Sequence, residues 1–209
     1  MKIVKPSYEI LNLPDFGPIL KHLEDVARTC YQSHDKTCEG SEVKMVQNLI
    51  KRNHTAMMEF ADMTVRFTCD RGVSHELVRH RHCSFAQEST RYVKYDGEME
   101  FILPCWFENP PSKNVETPEG QWMWAMEDAE ERYQDMLSQG QSPQQARSVL
   151  PNSLKTEIVV KTNLRDWMHI FLLRCDKAAH PQMRELMIPL YEELKEKCPV
   201  IFETVEFNR

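Results

Sequence analysis

The sequence predicts an α+β domain, with a few strands among a larger number of helices. Two patterns carry that expectation. From Thr64 to Cys69 apolar and polar residues alternate strictly, the period of a half-buried strand. Several longer stretches instead repeat apolar residues every three to four positions, the period of a helix with one face in a core. Length adds a third argument: 209 residues suffice for one sizeable core, and no repeat, low-complexity tract or linker divides residues 1–209, which read as a single domain.

In chain order, Ile3, Val4, Tyr8 and Ile10 place an edge strand in the first ten residues, and Asp15 with Pro18 opens a helix carrying Ile19, Leu20, Leu23, Val26 and Ala27. A second helix starts near Glu42, holds Val43, Val46, Leu49 and Ile50 at helical spacing, and ends in the polar stretch from Lys51 to His54. After the strand at Thr64, Asp70, Arg71 and Gly72 read as a turn, and Ser74 as the N-cap of a short helix through Arg79. Glu98 to Leu103 is a further strand, stopped by Pro104. Residues 108–118 form a surface loop, and Thr117 followed by Pro118 starts a long helix that Gly140 ends. Ser142 and Pro143 start another, which runs into Pro151. From Ile158 to Cys175 apolar residues are too dense for one stripe, which predicts a helix buried on most sides. A last helix covers Pro181 to Lys197, ahead of a short strand from Val200 to Phe207.

Composition narrows the function. The formal net charge is -6, which argues against a general footprint for nucleic-acid backbone. The 7 cysteines are scattered without a C-x-x-C pair, so they fit neither a disulfide framework nor a zinc site, and reduced thiols in the cytoplasm are expected. No apolar run approaches a membrane span, and MKIVKPSYEIL lacks the apolar core of an export signal.

Against that acidic background, RHRHCSFAQESTRY at residues 79–92 holds three arginines and two histidines with the single acid Glu88. Surface arginines usually pair with neighbouring carboxylates, and Glu76 with Arg79 has the spacing of a helical i, i+3 pair. For any one residue that reading is preferred. For the whole run it is not. On a helix Arg79 and Arg81 would lie about 200° apart, and the small polar residues Ser84, Ala86, Gln87, Ser89 and Thr90 suit a loop whose hydroxyls and amides meet anions. Arg91 adds a guanidinium suited to bidentate contact with phosphate. A phosphorylated ligand is the expected partner.

The arrangement Arg79, His80, Arg81, Ser84, Ser89, Arg91, Tyr92 resembles the signature of the flavin-dependent thymidylate synthases. His54 with Glu59 upstream, Arg147 in ARSVLP, Asn163 and Arg165 in TNLRDW and Arg174 in LLRC stand in that family's order and at about its separations. The resemblance therefore covers nearly the whole chain. It implies a curved antiparallel sheet flanked by helices and a homotetramer with sites assembled between subunits. It also implies reductive methylation of dUMP to dTMP, with methylenetetrahydrofolate giving the carbon and NADPH reducing FAD. Carried over residue by residue, it assigns His54, Arg79, His80, Arg81, Gln87, Asn163, Leu164, Arg165 and His169 to FAD. It assigns Glu76, Arg79, Gln87, Glu88, Ser89, Thr90, Arg91, Arg147 and Arg174 to dUMP, with Arg174 as the catalytic residue that polarises the base, and it implies no metal. The physics suits that role, because a fixed guanidinium beside the uracil carbonyl and N3 stabilises the charge that builds as C5 becomes nucleophilic. Ser89 is assigned to binding, since no histidine is evidently placed to activate it as a nucleophile.

Helical geometry adds a constraint. Arg165 and His169 share a face, whereas Arg174 lies about 180° from Arg165 on a regular helix. Either the helix breaks before Arg174 or its two ends serve different sites, and the resemblance favours the latter. The chain departs from the family pattern at Glu76, where glutamine is common, and at Ala56, Ala86, Gln87 and His169. No G-x-G-x-x-G occurs, so a Rossmann-type dinucleotide pocket is not expected. Three rivals remain. One is a single-stranded nucleic-acid-binding module using Phe85, Tyr92 and Tyr95 between the arginines. Another is a metal-dependent hydrolase built on His75, His80, His82 and Glu76, whose spacing is wrong for a helical zinc site. The last is a family member that binds nucleotide and flavin without turnover.

Overall fold

The computed structural model describes residues 1–13 and 15–208. Its first half contains β1 (Lys2–Val4), β2 (Ser7–Asn12), α1 (Phe16–Thr29), α2 (Ser41–Lys51), β3 (Asp62–Asp70), α3 (Arg71–Leu77), β4 (Ser84–Gln87) and β5 (Glu100–Ile102). Its second half contains α4 (Pro118–Ser138), α5 (Pro143–Ala146), β6 (Lys155–Asn163), α6 (Leu164–Arg174), α7 (Pro181–Lys197) and α8 (Pro199–Phe202). The architecture is mixed α and β, an antiparallel sheet flanked by helices, as expected.

Alternation builds the two long strands: β3 buries Met63, Val65, Phe67 and Cys69, and β6 buries Thr156, Ile158, Val160 and Thr162. The four-stranded sheet has the order β2-β3-β6-β4. Backbone bonds from Leu164 N to Ala61 O (2.9 Å) and from Arg71 N to Asn152 O (2.8 Å) bracket β3 and β6 as an antiparallel pair. Glu88 N to Glu157 O (2.9 Å) and Thr162 Oγ1 to His82 O (3.2 Å) do the same for β6 and β4. A separate two-stranded sheet joins β1 to β5 in parallel, with Lys2 opposite Glu100 and Val4 opposite Ile102.

The residues group into two compact units that alternate along the chain. The first comprises Met1–Ser7, Phe67–Arg79 and Phe85–Val159, and the second Tyr8–Arg66, His80–Ser84 and Val160–Arg209. In the first, α4 packs on α5, and Met99, Phe101, Met126, Tyr133, Ala146 and Leu154 form a core. In the second, α1 packs on α2 and α6 on α7, with α8 against both α2 and α7. An aromatic chain holds that core: Trp167 stacks on Phe171 at 5.7 Å, and Phe171 meets Tyr191 at 5.7 Å and Phe202 at 5.9 Å.

Five expectations are corrected. The first ten residues form two strands in two different sheets, because Lys5 and Pro6 interrupt the run after Val4. Asp70 and not Ser74 caps α3, its carboxylate accepting from Val73 N at 2.6 Å, so β3 passes into the helix without a turn. The basic stretch is not all loop, since Ser84–Gln87 adds a strand to the sheet edge. Residues 155–163 are strand, and the helix begins only at Leu164. Asn163 marks the change, its Oδ1 accepting from Asp166 N at 2.9 Å as a cap. At the C-terminal end, Pro199 starts a short helix where a strand was expected.

Candidate active site

The structure distributes the expected site residues between the two units. Glu76, Arg79, Gln87, Glu88, Ser89, Thr90, Arg91 and Arg147 lie in the first unit. His54, His80, Arg81, Asn163, Leu164, Arg165, His169 and Arg174 lie in the second. The residues expected at dUMP, Arg174 apart, thus share one unit, and those expected at FAD, Arg79 and Gln87 apart, share the other.

In the first unit the segment after β4 is tied to the neighbourhood of α5 by two arginines. Arg147 opens a short 3-10 turn, Arg147–Val149, and donates from Nη1 to Oγ1 of buried Thr90 at 3.3 Å. Arg91 donates from Nε to Gln144 Oε1 at 3.3 Å and lies over the Tyr92 ring at 5.3 Å. Gln87 is fixed from beneath, its amide donating to Ser74 Oγ at 2.8 Å and to Thr156 Oγ1 at 3.3 Å. Glu88 accepts from the Tyr95 hydroxyl at 2.6 Å and has the Lys155 ammonium at 3.9 Å. Burial first, and that bond second, push the Tyr95 phenol well above the usual tyrosine range. Its ring meets Tyr133 edge-on at 5.9 Å, so one of the three aromatics a nucleic-acid module would need is committed to the core.

Among the described residues, no carboxylate pairs with Arg79, Arg91 or Arg147 in the first unit, nor with Arg81 in the second. The arginines that do form carboxylate pairs, such as Arg28 with Glu24 and Arg132 with Glu131, lie elsewhere in the chain. Local charge pairing therefore does not explain the basic cluster, and these guanidinium groups remain able to take an anion.

The second unit has two cavities that share Arg165. One, of about 370 Å³, is lined by Ala27, Cys30, Leu49, His54 and Met57 among others, with Tyr31 78% exposed at its edge. The other, of about 420 Å³, is polar and lined by Glu59, His82, Asn163, Arg165, Asp166 and His169. Arg165 is bound to Glu59. Leu164 is fully buried and its amide donates to Ala61 O. Asn163 is occupied as a helix cap, with Nδ2 also donating to Asp166 Oδ2 at 3.0 Å.

α6 runs unbroken from Leu164 to Arg174, so the alternative of a helix break before Arg174 is excluded. His80 stands close to both His169 and Arg174. Burial, then the Arg174 guanidinium, then His169 hold its imidazole down to about 4, against a smaller opposing pull from Asp166. Arg174 Nε donates to His80 Nε2 at 3.0 Å.

Sequence reading placed His82 only in the rival metal site and missed Asp166. Asp166 was findable: Asn163 followed three residues later by an acid is a cap signature, and its carboxylate lines the polar cavity while also accepting from Thr162. Among the described residues no three His, Cys, Asp or Glu side chains come together as metal donors. Among the described residues no helix is long and apolar enough to cross a membrane.

A family model described as thymidylate synthase complementing protein matches residues 20–200. The flavin-dependent thymidylate synthase of Mycobacteroides abscessus is 32% identical over 213 residues, 96% of this chain and 84% of the relative. That of Corynebacterium efficiens is 31% identical over 199 residues, 86% of this chain and 77% of the relative. That of Corynebacterium aurimucosum is 34% identical over 194 residues, 87% and 78%. Among solved structures, a UMP/dUMP methylase from Streptomyces cacaoi bound with 5-Br dUMP aligns with a TM-score of 0.80 over 97% of this chain and 96% of the other. At 22% identity that likeness speaks for the fold.

Proposed function

Because this chain belongs to the flavin-dependent thymidylate synthase family, we propose that it catalyses the reductive methylation of dUMP to dTMP. The carbon comes from methylenetetrahydrofolate, FAD is the cofactor and NADPH the reductant. Residues 1–209 act as one synthase domain in a cytoplasmic homotetramer with sites between subunits. The observation that carries the reading is the set of guanidinium groups at Arg79, Arg91 and Arg147, unpaired with carboxylates among the described residues of a chain with net charge -6.

The donor set fits FAD. A polar cavity edged by Arg165, His169 and His82 offers donors for a diphosphate or ribose, and the neighbouring cavity at His54, Ala56 and Met57 offers apolar surface for a ring. His54, Arg79, His80, Arg81, Gln87, Asn163, Leu164, Arg165 and His169 would hold the cofactor. FAD, when bound and reduced by NADPH, supplies the hydride that turns the transferred methylene into a methyl group.

The chain's own residues then bind and polarise dUMP. Arg91 and Arg147, with Ser89 and Thr90, take the phosphate and sugar, and charge-assisted bonds fix their register. Glu76, Arg79, Gln87 and Glu88 line the remainder, Gln87 held by Ser74 and Thr156. Arg174 sits at the pyrimidine and stabilises negative charge on the base while C5 acts as nucleophile. A guanidinium keeps its proton at working pH, so it does this as a fixed charge and not as a base.

The first test is the visible absorption spectrum of the purified protein on addition of FAD and then dUMP. A bound-flavin band that shifts with dUMP supports the reading. A protein that neither retains FAD nor responds to dUMP overturns it in favour of the oligonucleotide-binding module. A dUMP-responsive flavoprotein that forms no dTMP would be a binding member without turnover, for which the acid at Glu76 is the first suspect.

A further inference from the structure

His80 and Arg174 are 94 residues apart in sequence, yet Arg174 Nε donates to His80 Nε2 at 3.0 Å. An imidazole nitrogen accepts this bond only through a lone pair, so His80 is neutral and carries its proton on Nδ1. The surroundings favour that state. Burial, the adjacent guanidinium and His169 all disfavour a second positive charge, and Asp166 offsets them only in part. A protonated His80 would lose the bond and set two cations against each other.

A guanidinium is planar and rigid, so fixing its Nε–H fixes the direction of all its other N–H groups. α6 supports the other end of the side chain. Arg174 is the last residue of that helix, and Cys175, its C-cap, is fully buried with its amide on Phe171 O. The backbone of Arg174 is thereby anchored in the core, and its head group is held by a residue from the loop between α3 and β4.

We propose that His80 is a positioning residue for Arg174, its neutral Nε2 holding the guanidinium in the plane from which the terminal N–H groups meet the pyrimidine. This rests on the reading in which Arg174 polarises the base of dUMP, and it gives His80 a task other than contact with the flavin. Sequence alone conceals the pairing, because the arginines on either side of His80 present it as one more member of an anion-binding run.

The test has two arms. In the first, the histidine ring nitrogens of the intact protein are labelled with ¹⁵N and followed by NMR in the wild type and in Arg174→Gln. The expected result is an unprotonated Nε2 at His80 at neutral pH, shifted in the variant, with the titration of His80 moved up towards the ordinary histidine range. A His80 protonated on Nε2, or one indifferent to Arg174→Gln, overturns the proposal.

In the second arm, kcat and KM for dUMP are measured in His80→Gln, whose side-chain oxygen reaches about as far as Nε2, and in His80→Leu, which has no acceptor. Each is made alone and with Arg174→Lys, which has no Nε–H at that position. His80→Leu should lower kcat on the order of tenfold with KM little changed, and His80→Gln should restore most of the rate. On the Arg174→Lys background His80→Leu should cost less than about twofold. Equal losses on both backgrounds contradict the proposal. If the wild type forms no dTMP, the proposed function fails, while the NMR arm still decides whether His80 holds Arg174.

Discussion

Replacing Arg147 by alanine separates a binding role from a structural one. The side chain is exposed, no carboxylate pairs with it, and its one hydrogen bond to a described residue is 3.3 Å from Thr90 Oγ1. A bond of that length to a neutral hydroxyl at the surface is worth at most about 0.5 kcal/mol. For a chain of this size that corresponds to a change of roughly 1–2 °C in Tm. A guanidinium that meets the phosphate of dUMP makes charge-assisted bonds worth about 1.5–3 kcal/mol, which is roughly 10- to 150-fold in affinity. Arg147→Ala should thus weaken dUMP binding strongly and leave stability nearly unchanged, with Arg147→Lys between the two in affinity because it keeps the charge but not the fork. The assay is a dUMP titration followed by the flavin absorbance, run beside thermal unfolding without nucleotide. A Tm lowered by more than about 4 °C with dUMP affinity intact would show that Arg147 is a structural tie and refute the argument.

Three further outcomes follow from the geometry. The unfolded chain takes up a proton at His80 near 6.5 and the folded one only near 4, so this residue's share of stability is complete above about 6.5 and is lost as the pH falls towards 4. After allowance for partial exposure the loss is about 1–2 kcal/mol, and urea unfolding at pH 7 and 4.5 should show a smaller pH difference in His80→Gln. Trp167 is fully buried, stacks on Phe171 and donates to Met63 O at 3.1 Å, so Trp167→Ala should cost about 3–5 kcal/mol, read from the denaturant midpoint. At Gly120 an added Cβ would fall 1.9 Å from Asn114 O, so Gly120→Ala should cost more than about 2 kcal/mol. Gly97, with nothing within 4 Å, should accept alanine within about 0.5 kcal/mol in the same assay.

The parts of the fold that sequence announces are those with an uninterrupted period and a marked end. β3 alternates for its whole length, and α4 starts at Thr117 and Pro118 and ends before Gly140, which takes a positive φ of 86°. What sequence conceals is a change of period inside a single apolar run. Ile158 to Val160 belongs to a strand and Trp167 to Leu173 to a helix, and Asn163, the residue that separates them, is only one of several polar residues between Lys161 and Asp166, so the sequence does not single it out as the boundary. The parallel pairing of β1 with β5 spans nearly a hundred residues, and no local signal specifies it.

The site shows the same contrast. The arginine cluster stands out by charge, and the family resemblance sorts its residues into nucleotide and flavin sets that the structure gathers mostly in separate units. Contacts between distant segments were not legible: Arg147 to Thr90, Gln87 to Thr156 and Arg174 to His80 each depend on how the sheet and helices bring the chain back on itself.

The central claim is tested most directly by turnover. The protein would be incubated with FAD, NADPH, dUMP and methylenetetrahydrofolate labelled with ¹³C at the methylene carbon, and the nucleotides analysed by mass spectrometry. The expected product is dTMP with the labelled carbon in its methyl group, formed only when all the components are present and lost in Arg174→Ala. No labelled dTMP from a protein that binds both FAD and dUMP would contradict it.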